Sequence, residues 1–155
     1  GYAKSAGGSD WKEFFIHDLE TGKDLEDHLE WIKFSGMAWA GDGFYYSRFP
    51  EPIGGGELDA ANENAKVYFH KLGTDQEKDR LIFSDFENPR ISNNISTTDD
   101  ENYAVLYRWK GTSGTAVYIA QVSDDTHDFI PIIDNYENDH EIIGNIEHIL
   151  FTYKL

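Results

Sequence analysis

Short stretches in which apolar and polar residues alternate run along almost the whole chain, while the spacing of an amphipathic helix is nearly missing. Such alternation predicts strands, because successive side chains of a strand point to opposite faces of the sheet. Turn residues such as Thr21-Gly22 and Asp124-Asp125 separate these stretches. The one weakly helical segment, Leu58–Lys66, is predicted to be a polar loop. The predicted strands are Tyr2–Ala6, Glu13–Asp18, Glu30–Ser35, Met37–Ala40, Phe44–Phe49, Lys66–Leu72, Arg80–Ser84, Ile91–Ser96, Tyr103–Lys110, Thr115–Val122, Phe129–Asp134, Glu141–Asn145 and His148–Tyr153.

A repeat organises these strands. Residues 14–25, 67–83 and 117–133 each contain an alternating strand, a polar turn and a second apolar strand, and Phe15, Tyr68 and Tyr118 are equivalent, 53 and 50 positions apart. A four-stranded unit of about 50 residues is typical of a propeller blade, and propellers have about four to eight blades. Because the repeat supports only about three, we expect an all-β fold of antiparallel four-stranded blades that forms a partial arc.

The 155 residues are expected to form one domain. The first repeat lacks its opening strands and the last stops within a unit, so this domain, residues 1–155, is expected to hold the end of one blade, about two full blades and the start of another. The first residues lack the charged and apolar regions of a secretion signal. We therefore expect a mature or cut N-terminus, and both a cytoplasmic and a periplasmic location stay open.

One hairpin, "KFSGMAWAGDGFYYSRF" at residues 33–49, carries six aromatic residues around an Asp-Gly step. Strand periodicity places Phe34 on one face with the small residues Ala38 and Ala40, which would let a neighbouring blade approach closely. Neither face is clearly polar, and this favours packing between blades. The alternative is a ligand platform formed by Phe34, Trp39 and Tyr45.

The charge of the chain limits its partners. It contains 29 acidic and 13 basic residues, for a net charge of −16, and should be repelled by nucleic acid and by anionic membranes. The acidic residues fall at expected turns, among them Asp24–Asp27 and Glu77–Asp79, and indicate a solvated acidic surface. Apolar runs are too short to span a bilayer. Cysteine is absent, which excludes disulfides and a thiol nucleophile.

No segment carries a recognisable catalytic, metal or phosphate-binding motif. The segments Gly111–Thr115 and Gly7–Trp11 both fail the pattern of a serine-hydrolase nucleophile elbow. The six histidines lack the spacing of a zinc motif, and the equivalent repeat positions of His17 and His70 indicate structural roles. We therefore expect no catalytic residue, no metal and no cofactor in this chain.

Four stretches resemble the propeller domain of the prolyl oligopeptidase family. They occur in the family's order and together cover nearly the whole chain. The stretches are "YAKSAGGSDWKEFFIHDLETGKDL" (2–25), "IKFSGMAWAGDGFYYSRFPEP" (32–52), "KVYFHKLGTDQEKDRLIF" (66–83) and "STTDDENYAVLYRW" (96–109).

The resemblance implies a serine peptidase that cleaves after proline in short peptides. Family members have a seven-bladed propeller that caps an α/β-hydrolase domain, and the catalytic Ser, Asp and His lie in that second domain, which is absent from this sequence. The chain would thus be a non-catalytic fragment of the N-terminal propeller. It would gate substrate access, line part of the pocket, and have the hydrolase domain and short proline-containing peptides as partners.

The resemblance also implies two contacts with substrate. Phe34, in "KFSGMAW", matches a pocket-lining aromatic residue of the family, and Ile91 matches a further apolar pocket position, with Ser92 as the alternative in the alignment. The family has a substrate-binding Arg near the end of the strand that matches Tyr103–Trp109. This sequence departs from that pattern with Arg108, Trp109 and Lys110 before a short loop, so neither Arg108 nor Lys110 is assigned the role.

Two other hypotheses compete with a propeller fragment that works beside a hydrolase domain. A stand-alone β-rich module could bind peptides or glycans on the platform of Phe34, Trp39 and Tyr45. An isolated arc could instead self-associate, since exposed sheet edges and apolar blade faces promote association between chains.

Overall fold

The computed structural model describes residues 1–5, 7, 9–52, 62–146 and 149–154. Apart from one turn of 3-10 helix at Gln76–Lys78, the regular structure of these residues is all strand, and none of their helices has the length and apolarity of a bilayer span. Part of the predicted loop Leu58–Lys66 lies outside the described residues. The strands are β1 (Tyr2–Lys4), β2 (Lys12–Asp18), β3 (Lys23–Ile32), β4 (Ala38–Ala40), β5 (Gly43–Arg48), β6 (Lys66–Lys71), β7 (Arg80–Phe83), β8 (Ser92–Thr97), β9 (Tyr103–Trp109), β10 (Thr115–Gln121), β11 (Ile130–Ile133), β12 (His140–Ile146) and β13 (Ile149–Lys154).

These strands form four antiparallel sheets in chain order, which confirms the predicted all-β fold of antiparallel blades. Sheet I contains β1-β2-β3, sheet II β4-β5-β6-β7, sheet III β8 to β11 and sheet IV β12-β13. Every pairing joins neighbours in sequence, as in a meander. The repeat positions Phe15, Tyr68 and Tyr118 lie on β2, β6 and β10, and a register shift occurs next to each of them.

Sheet II is buried on both of its faces, as the hairpin sequence predicted. Its aromatic face, with Phe44 and Tyr46 fully buried, packs against Phe14, Ile16, Leu29 and Ile32 of sheet I. The other face presents Ala38, Ala40 and Tyr45 to Ile95, Ala104 and Leu106 of sheet III. Small side chains allow this second contact to be close, and the packing interpretation of the hairpin is therefore confirmed.

The predicted strand Glu30–Ser35 differs from β3 at both ends. Asp24–Asp27 was expected to be a solvated turn, but these residues belong to the strand, where Asp24 bonds His17 across the sheet and Asp27 is buried. The strand also ends at Ile32 rather than Ser35, because Trp31 and Phe34 adopt left-handed backbones with φ of 63° and 54°. Phe34 consequently does not share a strand face with Ala38.

The meander gives the row of sheets two distinct rims. Because a four-stranded antiparallel sheet begins and ends at the same side, all segments that pass from one sheet to the next lie at one rim. We call it the crossover rim; its crossover segments are residues 33–37, 84–91 and 134–139. The opposite rim carries the hairpin segments 72–79 and 122–129, next to the buried residues His70 and His127. We call it the histidine rim.

Candidate functional site

Phe34 is presented to solvent by a tightly held segment of the crossover rim. Its side chain is 50% exposed, whereas its neighbours Lys33 and Ser35 are buried. Ser35 Oγ accepts a hydrogen bond from Ser47 N at 2.8 Å and donates one to Gly36 O at 2.9 Å, which attaches the segment to β5. The two flanking side chains therefore fix the backbone, and Phe34 is left as the outward group.

Aromatic residues pack around this segment. The Lys33 ammonium lies 4.0 Å from the centroid of the Trp11 ring. Trp11 also contacts Trp31 and Phe49 edge to face, with centroids 5.7 and 6.2 Å apart. Phe49 N donates a hydrogen bond to Trp31 O at 3.0 Å. These contacts hold two residues in a left-handed conformation that is rare for large side chains.

Ile91 lies in the next crossover segment, and one strip of chain connects it with the Phe34 segment. Ile91 is partly buried, and its N–H closes a turn on Asn88 O at 3.0 Å. Residues 62–65 bind both segments, starting with a hydrogen bond of 3.1 Å from Lys33 Nζ to Asn62 Oδ1. The bonds to the second segment and β8 are Asn64 N to Pro89 O at 2.7 Å, Arg90 Nε to Glu63 Oε1 at 3.0 Å and Asn93 Nδ2 to Ala65 O at 2.9 Å.

Arg108 and Lys110 have different surroundings. The Arg108 guanidinium is largely buried, pairs with Asp85, donates to Asn93 Oδ1 at 3.1 Å and lies over the Phe83 ring at 5.1 Å. Through these contacts the guanidinium links sheet III to the preceding crossover segment. Lys110 is exposed in the turn after β9. Of the two cations, only Lys110 is accessible at the crossover rim.

The three residues of the alternative platform do not form one. Tyr45 is 1% exposed and packs toward sheet III, while Trp39 packs toward sheet I with its ring 5.1 Å from that of Phe44. Phe34 is on the rim. Because these side chains point in three directions, no common surface exists for a flat ligand.

The profile described as prolyl oligopeptidase, N-terminal beta-propeller domain, matches residues 1–153 of the chain. The chain belongs to this family. The prolyl endopeptidases of Elizabethkingia meningoseptica and Elizabethkingia miricola are 42% and 39% identical to it over 153 residues, which is 98% of the chain and 22% of each relative. The chain therefore spans about a fifth of the length of these curated relatives.

Solved structures support the same fold for this prolyl oligopeptidase propeller segment. One is a prolyl endopeptidase studied for the role of inter-domain dynamics in catalysis and specificity; it matches with a TM-score of 0.84 at 32% identity and covers 94% of this chain and 21% of that one. Another is prolyl oligopeptidase B from Galerina marginata bound to a 35mer hydrolysis and macrocyclization substrate, with a TM-score of 0.82 at 26% identity, covering 99% and 23%.

At the histidine rim of the propeller segment, His70 joins sheet I to sheet II through two buried carboxylates. Its Nδ1 lies 2.7 Å from Asp79 Oδ1 and its Nε2 lies 3.0 Å from Asp27 Oδ1. Burial opposes a charge on His70, but the hydrogen bonds to Asp79 and Asp27 outweigh it and raise the pKa of the imidazole. Tyr46 Oη donates to Asp79 at 2.6 Å and Gly73 N to Asp27 at 2.6 Å. No part of His70 is exposed, so this cluster cannot meet a substrate.

His127 joins sheet II to sheet III at the same rim. Its Nε2 lies 2.7 Å from Tyr45 Oη, and its ring contacts Tyr45 and Phe129. Burial lowers the pKa of His127, whose ring bonds a hydroxyl and a backbone carbonyl rather than a carboxylate. Burial therefore disfavours the charged form of His127, whereas the two carboxylates favour the charged form of His70. Sequence reasoning identified a structural role for His70 but had no signal for His127, which is 82 residues from its partner.

One exposed cluster on sheet I combines possible metal ligands. Ligand atoms of Glu13, His28 and Glu30 lie within 4.8 Å of one another. His28 Nε2 already bonds Glu13 Oε2 at 2.6 Å, and its ring stacks on Phe15. These contacts account for the position of His28 as part of a hydrogen-bonded pair on the surface.

Proposed function

We propose that this chain is a non-catalytic segment of the propeller of a prolyl oligopeptidase-like serine peptidase. It gates the access of substrate and lines part of the pocket in which short peptides are cleaved after proline. Its partners are the hydrolase domain of the parent protein and the peptide itself. The single observation that carries the proposal is the outward-facing Phe34, fixed at the crossover rim of a segment that belongs to this family.

The physical case rests on the cost of placing Phe34 in this position. A half-exposed aromatic ring forgoes part of its hydrophobic stabilisation, and a left-handed backbone at a bulky residue costs about 1–3 kcal/mol. Such strain persists only when the surroundings enforce it, as buried Lys33 and Ser35 do here. An apolar contact with a peptide would recover the burial that the ring lacks. Ile91, tied to the same strip of chain, supplies a second apolar position.

The arrangement of the sheets supports a place within a larger ring. The three-stranded sheet I corresponds to the end of one blade, sheets II and III to two full blades, and the two-stranded sheet IV to the start of another. The Galerina marginata relative is bound to a 35mer hydrolysis and macrocyclization substrate, which supports a peptide as the partner.

The decisive experiment replaces Phe34 in the intact peptidase. Phe34→Ala should lower kcat/KM for a Gly-Pro chromogenic substrate roughly tenfold, equivalent to about 1.4 kcal/mol of lost contact in the transition state. Phe34→Tyr should retain most activity. Leu19→Ala, at an exposed position on the histidine rim, is the matched control. Equal kcat/KM values for Phe34→Ala and Leu19→Ala would overturn the proposed contact.

The isolated chain provides a second test. It should not turn over the same chromogenic substrate, because the proposal places all the catalytic residues in the hydrolase domain. Turnover that a serine-directed inhibitor abolishes would contradict a non-catalytic role.

We also propose that the isolated chain self-associates. Apolar side chains on the last two sheets remain exposed: Ile130 of sheet III is 60% exposed and Ile143 of sheet IV is 64% exposed. Light scattering across concentration should then report a dimer or a larger species. A monomer at every concentration would contradict the association.

A further inference from the structure

Each of the three crossover segments presents one exposed aromatic ring. Phe34 is 50% exposed, Phe86 67% and Tyr136 37%. They are 52 and 50 positions apart, almost the step of the sheet repeat itself. The three rings therefore occupy corresponding places in successive crossover segments, and topology puts all of them on one rim.

Phe86 is held outward by a turn that Asp85 organises. Asp85 accepts hydrogen bonds from Glu87 N at 3.1 Å, Asn88 N at 3.2 Å and Asn88 Nδ2 at 2.9 Å, and it also pairs with Arg108. These bonds lower the pKa of Asp85 against the effect of its burial, so the turn keeps its anchoring charge. The Lys66 ammonium lies 5.0 Å from the Phe86 ring centroid.

Tyr136 is held by different contacts. A Cβ at Gly114 would overlap the backbone carbonyl of Tyr136, so the crossover segment lies directly on the turn between β9 and β10. Gly114 N donates to Asp139 Oδ1 at 2.6 Å and Thr115 N to Asn138 O at 2.9 Å. Three unrelated sets of contacts thus produce the same result, one outward aromatic ring in each crossover segment.

We propose that Phe34, Phe86 and Tyr136 form a row of contacts for an extended, proline-containing peptide that runs along the crossover rim. This rests on the proposed function and extends it from one subsite to three. Packed sheets are about 10 Å apart, and a polyproline II helix advances about 9 Å in three residues. Every third residue of such a peptide would therefore face the next ring. Aromatic grooves favour this conformation because it is already ordered before binding.

The test uses the intact peptidase and two quenched fluorescent peptides with the same cleavage site. One is short, and the other continues with proline at every third position. In both peptides the fluorophore and the quencher flank only the shared site, so that cleavage within the extension gives no signal. Phe86→Ala and Tyr136→Ala should each reduce kcat/KM for the long peptide about three- to tenfold and leave the short peptide unchanged. Phe86→Tyr and Tyr136→Phe should restore the long-peptide value. Leu19→Ala is again the control, and urea midpoints check that each variant is folded.

The outcomes separate this inference from the proposed function. If Phe34→Ala lowers kcat/KM while Phe86→Ala and Tyr136→Ala change kcat/KM for neither peptide, the proposed row of contacts is wrong. The proposed contact of Phe34 alone then remains. An equal loss for both peptides also overturns the row, because the rings would then support the enzyme rather than bind the extension. If Phe34→Ala itself has no effect, the proposed function fails.

Discussion

The two rims of this sheet array use side chains with planar rings for opposite purposes. At the histidine rim, His70 and His127 are buried and join neighbouring sheets, one through carboxylates and the other through a tyrosine. At the crossover rim, Phe34 and its counterparts point outward from segments that are themselves fixed. The difference shows that rigid attachment and exposure coexist in the aromatic residues of one rim, whereas the two histidines of the other rim hold neighbouring sheets together.

The two histidines also differ from each other. His70 bonds two buried carboxylates, so a charge on its ring is compensated. His127 meets a hydroxyl instead, and burial lowers its pKa and so disfavours its charged form. Neighbouring sheets of one repeat are therefore joined by a histidine–carboxylate contact in one case and a histidine–hydroxyl contact in the other.

The largest effect is expected from His70→Ala at the histidine rim. The change would leave Asp27 and Asp79 buried without their cation, and breaking a buried ion pair costs about 3–5 kcal/mol. Urea unfolding should report that loss. His28→Ala, which removes a half-exposed surface pair, should cost at most about 1 kcal/mol. Equal losses for the two variants would mean that the buried cluster does not hold the sheets together.

An intermediate effect is expected from Gly114→Ala at the crossover rim. Gly114 has a φ of 84° and lies against the Tyr136 backbone, whereas Gly111 has a φ of 81° and open space around it. Gly114→Ala should lower the free energy of unfolding by about 2–3 kcal/mol, and Gly111→Ala by about 1 kcal/mol from conformation alone. If the two variants unfold at the same urea concentration, the segment that carries Tyr136 is not anchored as described.

The smallest effect is the opposite pH dependence of the two histidines. The pKa of His70 is raised, so its stabilisation is complete below the ordinary value of about 6.5 and is lost as pH rises through the folded pKa. The pKa of His127 is lowered, so its contribution is present above about 6.5 and is lost as pH falls toward the folded pKa.

The measurement is the free energy of unfolding of wild type, His70→Asn and His127→Gln at pH values below and above about 6.5. The difference between wild type and His70→Asn should shrink as pH rises. The difference between wild type and His127→Gln should grow. Asp27, Asp79 and Tyr46 face His70. The groups near His127 are Tyr45, Arg80, Asp124 and Asp125. The comparison with each variant cancels titrating groups elsewhere. Parallel profiles for the two variants would contradict opposite pKa shifts of the two histidines.

The order of the strands and the partial arc were predictable from sequence. Alternation marks a strand directly, and the spacing of Phe15, Tyr68 and Tyr118 reports the repeat because equivalent strands carry equivalent side chains. The same argument could have found Phe86 and Tyr136, since they keep nearly the same period as Phe34.

Other features have no local signal. Asp27 looks like its solvated neighbours until the strand that contains it packs against His70. Phe34 has a left-handed backbone, and its neighbour Ser35 is anchored by a hydrogen bond from Ser47, which lies 12 residues further along the chain. Nothing near Tyr45 in the sequence indicates His127. These are long-range contacts, and the alternation pattern carries information only about which face a residue occupies.

The most direct test of the account measures stability and kcat/KM together in the intact peptidase, with one variant from each rim. Phe34→Ala should leave the free energy of unfolding within about 0.5 kcal/mol of wild type while lowering kcat/KM for the Gly-Pro substrate roughly tenfold. His70→Ala should reduce stability by about 3–5 kcal/mol and, where the protein remains folded, change kcat/KM much less. A Phe34→Ala variant that loses stability and keeps its kcat/KM would contradict the assignment of the crossover rim to substrate.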